Sequence, residues 1–415
     1  MCKKHILFAF CVVTIVASHQ AYAITSENNL NGWIKYIEKQ LQTHPEIISA
    51  KQKLAGQFHL ADGLEKAIYN PELSTEYEKE GPENNFTVGI NQSIDRSDKR
   101  KSRSQQAVFL RAQARENYHN LMQDKIAQAL TALVNYQSIL KKSKLTLKQE
   151  NQLEKLIELV QEKTRSGDMG QLDAELAYLT LSQKFAQTAS IQAQKQKARS
   201  KLTEILPEWQ SENLDESTPI LFPYDETVAE QVVDDHPLVK MAKAKWEVAE
   251  IKAELAQKNK KADPTVGVNV GKIDNDNLVS LNFSMPLNFR NDFSEEYKAA
   301  REQALAAESA YLNAKRSQYF EIIGSQKAVR EYKKRFQKWQ KLMQGRDKDS
   351  ELLLEKQWKI GDIGTSDYFL TLQQRTDGLL SGITLEQDYK TAVIQLLLDT
   401  AQLKQETLLT QKVSQ

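Results

Sequence analysis

The placement of prolines constrains this chain more than any other feature. All nine stand at positions 45, 71, 82, 207, 219, 223, 237, 264 and 286, so none falls between Pro82 and Pro207 and none follows Pro286. Both proline-free stretches are rich in Ala, Gln, Lys, Glu and Leu, which favour helix. Within them apolar residues recur at threes and fours, as in Leu153, Leu156, Ile157 and Val160, or Val393, Leu396, Leu397 and Leu403. That spacing puts an apolar seam along each helix and predicts coiled-coil packing. A helix from about Ser97 to Arg165 would reach roughly 100 Å, a length for which a globular domain has no use.

The chain also repeats itself. His44-Pro45 returns as His236-Pro237, Asn70-Pro71 as Asp263-Pro264, and the run Gly167 to Asp173 as Gly361 to Asp367, in the same order and at nearly constant offset. Three such anchors indicate two copies of one unit. The organisation expected is a first copy over 24–206, a connecting segment over 207–235 that carries three prolines and no sign of a separate domain, and a second copy over 236–415. Each copy reads helix, hairpin, long helix, Gly-containing turn, helix. A short polar tail follows Leu409.

The two hairpins, expected at 71–94 and 264–287, alternate strictly. Val266, Val268 and Val270 fall on one face of a strand opposite Thr265, Gly267, Asn269 and Gly271, and Val279, Leu281, Phe283 and Met285 alternate with Ser280, Asn282 and Ser284. In the first copy Leu73, Thr75 and Tyr77, then Phe86, Val88 and Ile90, alternate with polar residues or glycine. Such strands suit either a half-buried soluble sheet or a wall with lipid on one side and water on the other. In the second reading Val88, Ile90, Val266, Val268, Val279, Leu281 and Phe283 face lipid, with Tyr77, Phe86 and Phe283 as aromatics at the rims. Four strands cannot close a barrel alone and open edges are not tolerated in lipid, so several chains must close the wall together, and three would give twelve strands. The fold class expected is mainly α with a membrane β-barrel part: a long helical coiled-coil barrel plus four strands per chain.

Residues 1–23 have the parts of a secretory signal: Lys3 and Lys4, an apolar run from Ile6 to Ala17, and Ala21-Tyr22-Ala23 as a cleavage site. Both cysteines, Cys2 and Cys11, lie inside it, so the mature chain would have no thiol for a disulfide or a soft-metal site. The balance of 56 basic and 55 acidic residues offers no electrostatic case for nucleic acid. No later segment has the roughly 18 uninterrupted apolar residues of a membrane helix.

Catalytic chemistry finds little support. His44, His59, His119 and His236 have no metal-pair spacing, and His44 and His236 each precede a proline where a helix would start. Gly267 to Lys272 has faulty phosphate-loop spacing and lies within a strand; Asp274 to Asn277 lacks the glycine and distant glutamate of a calcium loop. No cofactor and no bound metal are expected. In the repeated turn, Gly167 and Gly170, or Gly361 and Gly364, permit the left-handed conformations that end a helix, and Asp173 and Asp367 stand where the next helix would want a first-turn acid.

The whole mature chain resembles the TolC-like outer-membrane efflux ducts of Gram-negative bacteria. It is most similar to the heavy-metal cation branch, the outer components of cobalt-zinc-cadmium and copper-silver pumps. The residues that carry this are Asn70-Pro71-Glu72-Leu73, then Gln92-Ser93-Ile94-Asp95 with Lys99-Arg100 and Arg103, and Met285-Pro286-Leu287 with Arg290-Asn291. Where that branch has Gly-Gly before its Lys-Arg, Ser97-Asp98 stand here. The resemblance implies a homotrimer with a twelve-strand barrel in the outer membrane and a helical tunnel across the periplasm. It implies two protein partners, an inner-membrane RND pump and a periplasmic adaptor that deliver substrate to the tunnel tip. It makes the chain a passive conduit rather than an enzyme. It places the repeated turn at the periplasmic tip, where Asp173 and Asp367 ring the entrance, Asp367 on the inner helices and Asp173 on the outer. A second acid expected three positions on is replaced by Leu370. A drug-efflux or type I secretion duct of the same fold is the alternative, and a soluble periplasmic coiled-coil adaptor the more distant one.

Overall fold

The computed structural model describes residues 30–209, 224, 231–274, 276–344 and 349–403. The expected signal segment, most of the 207–235 connection and the tail after Leu409 lie outside the described residues. Among the described residues the elements follow in the order α1 (Leu30–Leu41), α2 (Pro45–Glu65), β1 (Glu72–Glu80), β2 (Glu83–Ser93), α3 (Lys99–Ser166), α4 (Gln171–Ile205), α5 (Gln231–Asp235), α6 (Pro237–Asn259), β3 (Thr265–Ile273), β4 (Asp276–Ser284), α7 (Ser294–Met343), α8 (Asp349–Lys359) and α9 (Thr365–Asp399). The chain is mainly helical, with one antiparallel sheet in the order β1-β2-β3-β4.

His44 and His236 are the N-caps of α2 and α6. In each, the imidazole Nδ1 accepts a backbone N–H two residues on, at 3.3 Å, and Pro45 or Pro237 fills the first helical position, where a missing N–H costs nothing. The longest helix, α3, runs for 68 residues, or about 100 Å. Its counterpart in the second half is described in two pieces, α7 and α8, on either side of 345–348.

The hairpins are tighter than the alternation predicts. Gly81 turns the first with φ 63° and Asp274 the second with φ 53°, so pairing runs to Glu80–Glu83 and Ile273–Asp276. The second hairpin ends at Ser284 rather than 287, because Pro286 has no N–H to give a ladder. At each crossing from strand to long helix a non-glycine residue takes a left-handed conformation, Asp98 (φ 53°) before α3 and Phe293 (φ 57°) before α7. Asp98 is the place where the resembled branch has glycine. Asp95 supports the first crossing by accepting the backbone N–H groups of Ser97, Lys99 and Arg100.

Among the described residues two large apolar clusters and a small third one, Val233 with Val239 and Ile322, hold the helices. One lies midway along α3, where Ile126, Leu130, Leu133 and Ile139 pack with Trp33, Ile37 and Leu41 of α1, Leu202 and Ile205 of α4, and Val393 to Leu397 of α9. The other lies at the far end of α3, where Leu153, Leu156, Ile157 and Val160 meet Ala174 and Ala177 of α4, Trp358 of α8, and Tyr368, Phe369 and Leu372 of α9.

Between sheet and helices a buried polar knot joins the two halves. Asp263 Oδ2 accepts Lys99 Nζ at 2.9 Å and Tyr69 Oη at 2.6 Å, its Oδ1 accepts the Arg96 amide, and Lys99 Nζ also donates to the Lys261 carbonyl. Lys99 and Asp263 are both under a tenth exposed. Burial alone would raise the Asp263 carboxyl, but Lys99 and Tyr69 together hold it below the usual carboxylate range. The Tyr69 phenol, bonded to that carboxylate and partly desolvated, is pushed up to about 12.

Removing one charge strands the other, so Lys99→Met and Asp263→Leu are each expected to cost about 3–5 kcal/mol, and the double variant less than either single one. Unfolding of the three variants by denaturant measures this. A raised native pKa means that the contribution of Tyr69 is complete below pH ~10 and is lost as pH rises toward about 12. The melting temperatures of wild type and Tyr69→Phe should therefore differ at neutral pH and converge through that alkaline window.

Candidate functional site

The register of the sheet brings the alternating residues of both copies into common rows. On one face Leu73, Ile90, Val268 and Leu281 lie across the four strands, then Thr75, Val88, Val270 and Val279, with Val266 and Phe283 below them. Of the positions expected to face lipid, Ile90, Val266, Val268, Val279, Leu281 and Phe283 are exposed, Leu281 at 83%, and Val88 is half-buried. Tyr77 pairs with Phe86 toward the hairpin turns, with Lys272 opposite Phe86. Phe283 stands near the other end, so aromatics bracket the apolar rows. Strands of 9 to 11 residues match the length that crosses a bilayer at a tilt.

Across β2, β3 and β4 the centre of the other face is built from glycine and amide. A Cβ at Gly89 would collide with the Asn269 side chain, and one at Gly267 with both Asn91 and Asn282. The carboxamides therefore lie flat over the glycines; Asn282 Nδ2 donates to Asn91 Oδ1 at 2.8 Å and Asn269 Nδ2 to Ser280 Oγ at 3.4 Å. Alternation alone marks this face as polar, whereas the pairing of each asparagine with a particular glycine needed the register.

At the far end of the helices the repeated turn forms twice, with the same backbone. Gly167 (φ 82°) ends α3 and Gly361 (φ 79°) ends α8. The next amides close six-residue rings, Asp168 to the Lys163 carbonyl and Asp362 to the Gln357 carbonyl, each at 2.9 Å. Gly170 and Gly364 are the extended N-caps of α4 and α9, and Asp173 and Asp367 occupy the third position of those helices, near the positive end of the dipole.

The two acids then part company. Asp173 Oδ1 accepts Ser366 Oγ at 2.7 Å, which ties the first turn to the second. Asp367 is exposed, and its carboxylate has no partner among the described residues. Sequence reasoning missed Ser366, and missed Trp358, which is buried beneath the turn. The indole stacks on Tyr368 at 5.0 Å, donates Nε1–H to Thr365 Oγ1 at 3.1 Å and has Lys163 Nζ over its face. Among the described residues no three of His, Cys, Asp and Glu converge as a metal site, and no helix is long and apolar enough to cross a membrane.

No protein-family profile matches the sequence, and no curated protein is similar to it in sequence. Solved structures do match its fold. The outer-membrane channel OprN aligns with a TM-score of 0.76 at 12% identity, covering 89% of this chain and 89% of that one. The CmeC outer membrane channel of Campylobacter jejuni aligns at 0.74 and 13% identity, over 92% of this chain and 87% of that one. CusC, described for the conformational changes of its folding and transmembrane channel formation, aligns at 0.72 and 12% identity, over 90% and 92%. The helices and the four-stranded sheet are thus arranged as in outer-membrane channels, the fold that the TolC-like resemblance implies.

Proposed function

We propose that this chain is the outer-membrane duct of a tripartite efflux system: a homotrimer whose three sheets close a twelve-strand barrel and whose helices extend it as a tunnel through the periplasm. The observation that carries this is a sheet with a largely exposed apolar face and two edges unpaired among the described residues, set at one end of a helix about 100 Å long. Lipid is the solvent that such a face suits, and head-to-tail pairing of β4 with the β1 of the next copy removes the edges. The fold shared with OprN, CmeC and CusC supports the reading.

The chain is a conduit, with no enzymatic step of its own. Its turns at Gly167 and Gly361 form the periplasmic tip, where an adaptor and an RND pump deliver substrate. Resemblance to the heavy-metal branch favours a metal cation as cargo. With Cys2 and Cys11 both in the expected signal and the histidines scattered, choice of metal rests with the pump. Three Asp367 carboxylates around one axis give a negative constriction that draws cations in.

Planar-bilayer recording tests both ends. Leu281→Arg is expected to impair insertion by about 2–4 kcal/mol, whereas Ser280→Arg inserts and changes conductance. Equal damage from both would favour a soluble sheet. At the tip, Asp367→Asn should lower cation selectivity while leaving trimer stability almost unchanged, since a solvated first-turn acid contributes only about 0.3–1 kcal/mol. Identical selectivity in wild type and variant would reduce Asp367 to helix punctuation.

A further inference from the structure

The four connections between sheet and helices share a feature that the duct reading does not use. Each carries one exposed cation: Lys66 between α2 and β1, Arg96 between β2 and α3, Lys261 between α6 and β3, and Arg290 between β4 and α7. None of these side chains has a hydrogen-bond or ion-pair partner among the described residues. Several neighbouring bases are engaged: Arg100 and Arg103 donate to the carbonyls of Glu65 and Gly63, Lys99 is buried on Asp263, and Lys260 lies 4.0 Å from Asp292. Four solvated cations at one level, one on each connection, are therefore left without a structural role.

That level is also apolar. Below the last ladder pair, Ile94, Leu287 and Phe289 are exposed, the last two at 71% and 78%. Ile94 continues the apolar alternation of β2, and its amide still bonds to the Pro264 carbonyl. The opposite rim has another character, with the acids Glu78, Asp274 and Asp276 beside Lys79 and Lys272. Exposed apolar side chains beside four unpaired cations, one on each connection, are the chemistry of a membrane–water interface facing anionic headgroups.

We propose that Lys66, Arg96, Lys261 and Arg290 form a belt that binds anionic glycerophospholipid headgroups at the helix-side rim of the sheet, with Leu287 and Phe289 seated in the acyl boundary. The belt rests on the membrane reading of the sheet. It fixes how far the chain sinks into the bilayer, since the cations stay at headgroup level while the apolar rows above them take the hydrocarbon. Each cation near a charged lipid surface is worth roughly a five-fold preference at low salt, and the preference fades as salt screens it.

The full-length protein in phosphatidylcholine vesicles, with spin-labelled phosphatidylglycerol or spin-labelled phosphatidylcholine as probe, tests this by electron paramagnetic resonance. Wild type is expected to hold phosphatidylglycerol at its boundary roughly five-fold more strongly than phosphatidylcholine. The variant carrying Lys66→Gln, Arg96→Gln, Lys261→Gln and Arg290→Gln should insert and lose most of that preference. No preference in wild type overturns the belt, as does a preference that the variant keeps, or a variant whose loss is in assembly rather than in lipid choice. Immobilised lipid of neither kind would show that the sheet is outside the bilayer, which removes the duct reading itself.

Discussion

Every backbone N–H and C=O in hydrocarbon must find a partner, and in the proposed duct that demand decides most of what this chain looks like. Among the described residues of one chain β1 pairs only with β2 and β4 only with β3, so two strand edges stay open. In that proposed setting the apolar face meets lipid, where an open edge costs several kcal/mol for each unmet group, so the sheet would be incomplete without further copies. The edges also suit one another. From Leu278 to Ser284 the polar face of β4 offers Ser280, Asn282 and Ser284, whereas β1 offers Glu72, Ser74, Glu76 and Glu78. Joining them sets carboxylates beside hydroxyls and amides rather than beside other carboxylates, which cross-strand pairing would penalise.

Contacts between the halves show how the two copies lie. Tyr69 meets Asp263 at a separation of 194 residues, Ser366 meets Asp173 at 193, and Asn282 meets Asn91 at 191. These are close to the offset of the repeat, so matching positions touch in the sheet, at the sheet-to-helix crossings and at the helical tip. Two units that meet at like positions at both ends, with a helix of about 100 Å between, must run side by side in register rather than stack end to end. Such side-by-side units are what a ring of repeats around an axis requires. Fusion of two units in one chain fixes one of their two kinds of junction covalently, which in the proposed duct would leave the β4–β1 junction of the sheet to assembly.

The sequence announced features that depend on local pattern. Alternation over nine or ten residues marked the strands and their apolar face, and a run without proline marked α3 to within two residues at its start. Both are readable because period and propensity act on neighbours. What stayed hidden depends on residues far apart in the chain. Nothing near Asp263 announces Lys99, 164 residues away, and Ser366 reads as an ordinary helix-start serine until the second tip is brought against the first. Gly382 was passed over as well. Its lack of a side chain lets the Trp339 ring lie against α9, where a Cβ would collide with the indole. Even the left-handed Asp98 was foreshadowed only by the missing Gly-Gly, a comparison with relatives and not a physical signal in this chain.

The helical wall is not uniform along its length, and the difference follows from what each level has to do. Apolar clusters bind α9 at its two ends, Tyr368 to Leu372 at the tip and Val393 to Leu397 midway up, but between them it meets α3 through polar groups. Glu386 accepts Lys141 and Lys390, Gln387 bridges Ser138 and Asn135, and Gln149 donates to the Leu372 carbonyl. Burial would raise the Glu386 carboxyl, yet Lys141 and Lys390 hold it below its ordinary range, while burial in turn lowers the Lys390 ammonium. Nearby, a cavity of about 240 Å³ between α3, α4 and α9 is lined by Lys184 and by Gln149, whose Oε1 is buried without a protein partner. Apolar packing is insensitive to register over small shifts, whereas a hydrogen-bonded network holds only when each donor meets its own acceptor. The polar middle therefore contributes less to net stability than the clusters do, and more to fixing where along α3 the helix α9 stops. In the proposed tunnel, whose tip would present Asp367 at one level in every copy, that fixed register is what these half-buried charges would supply.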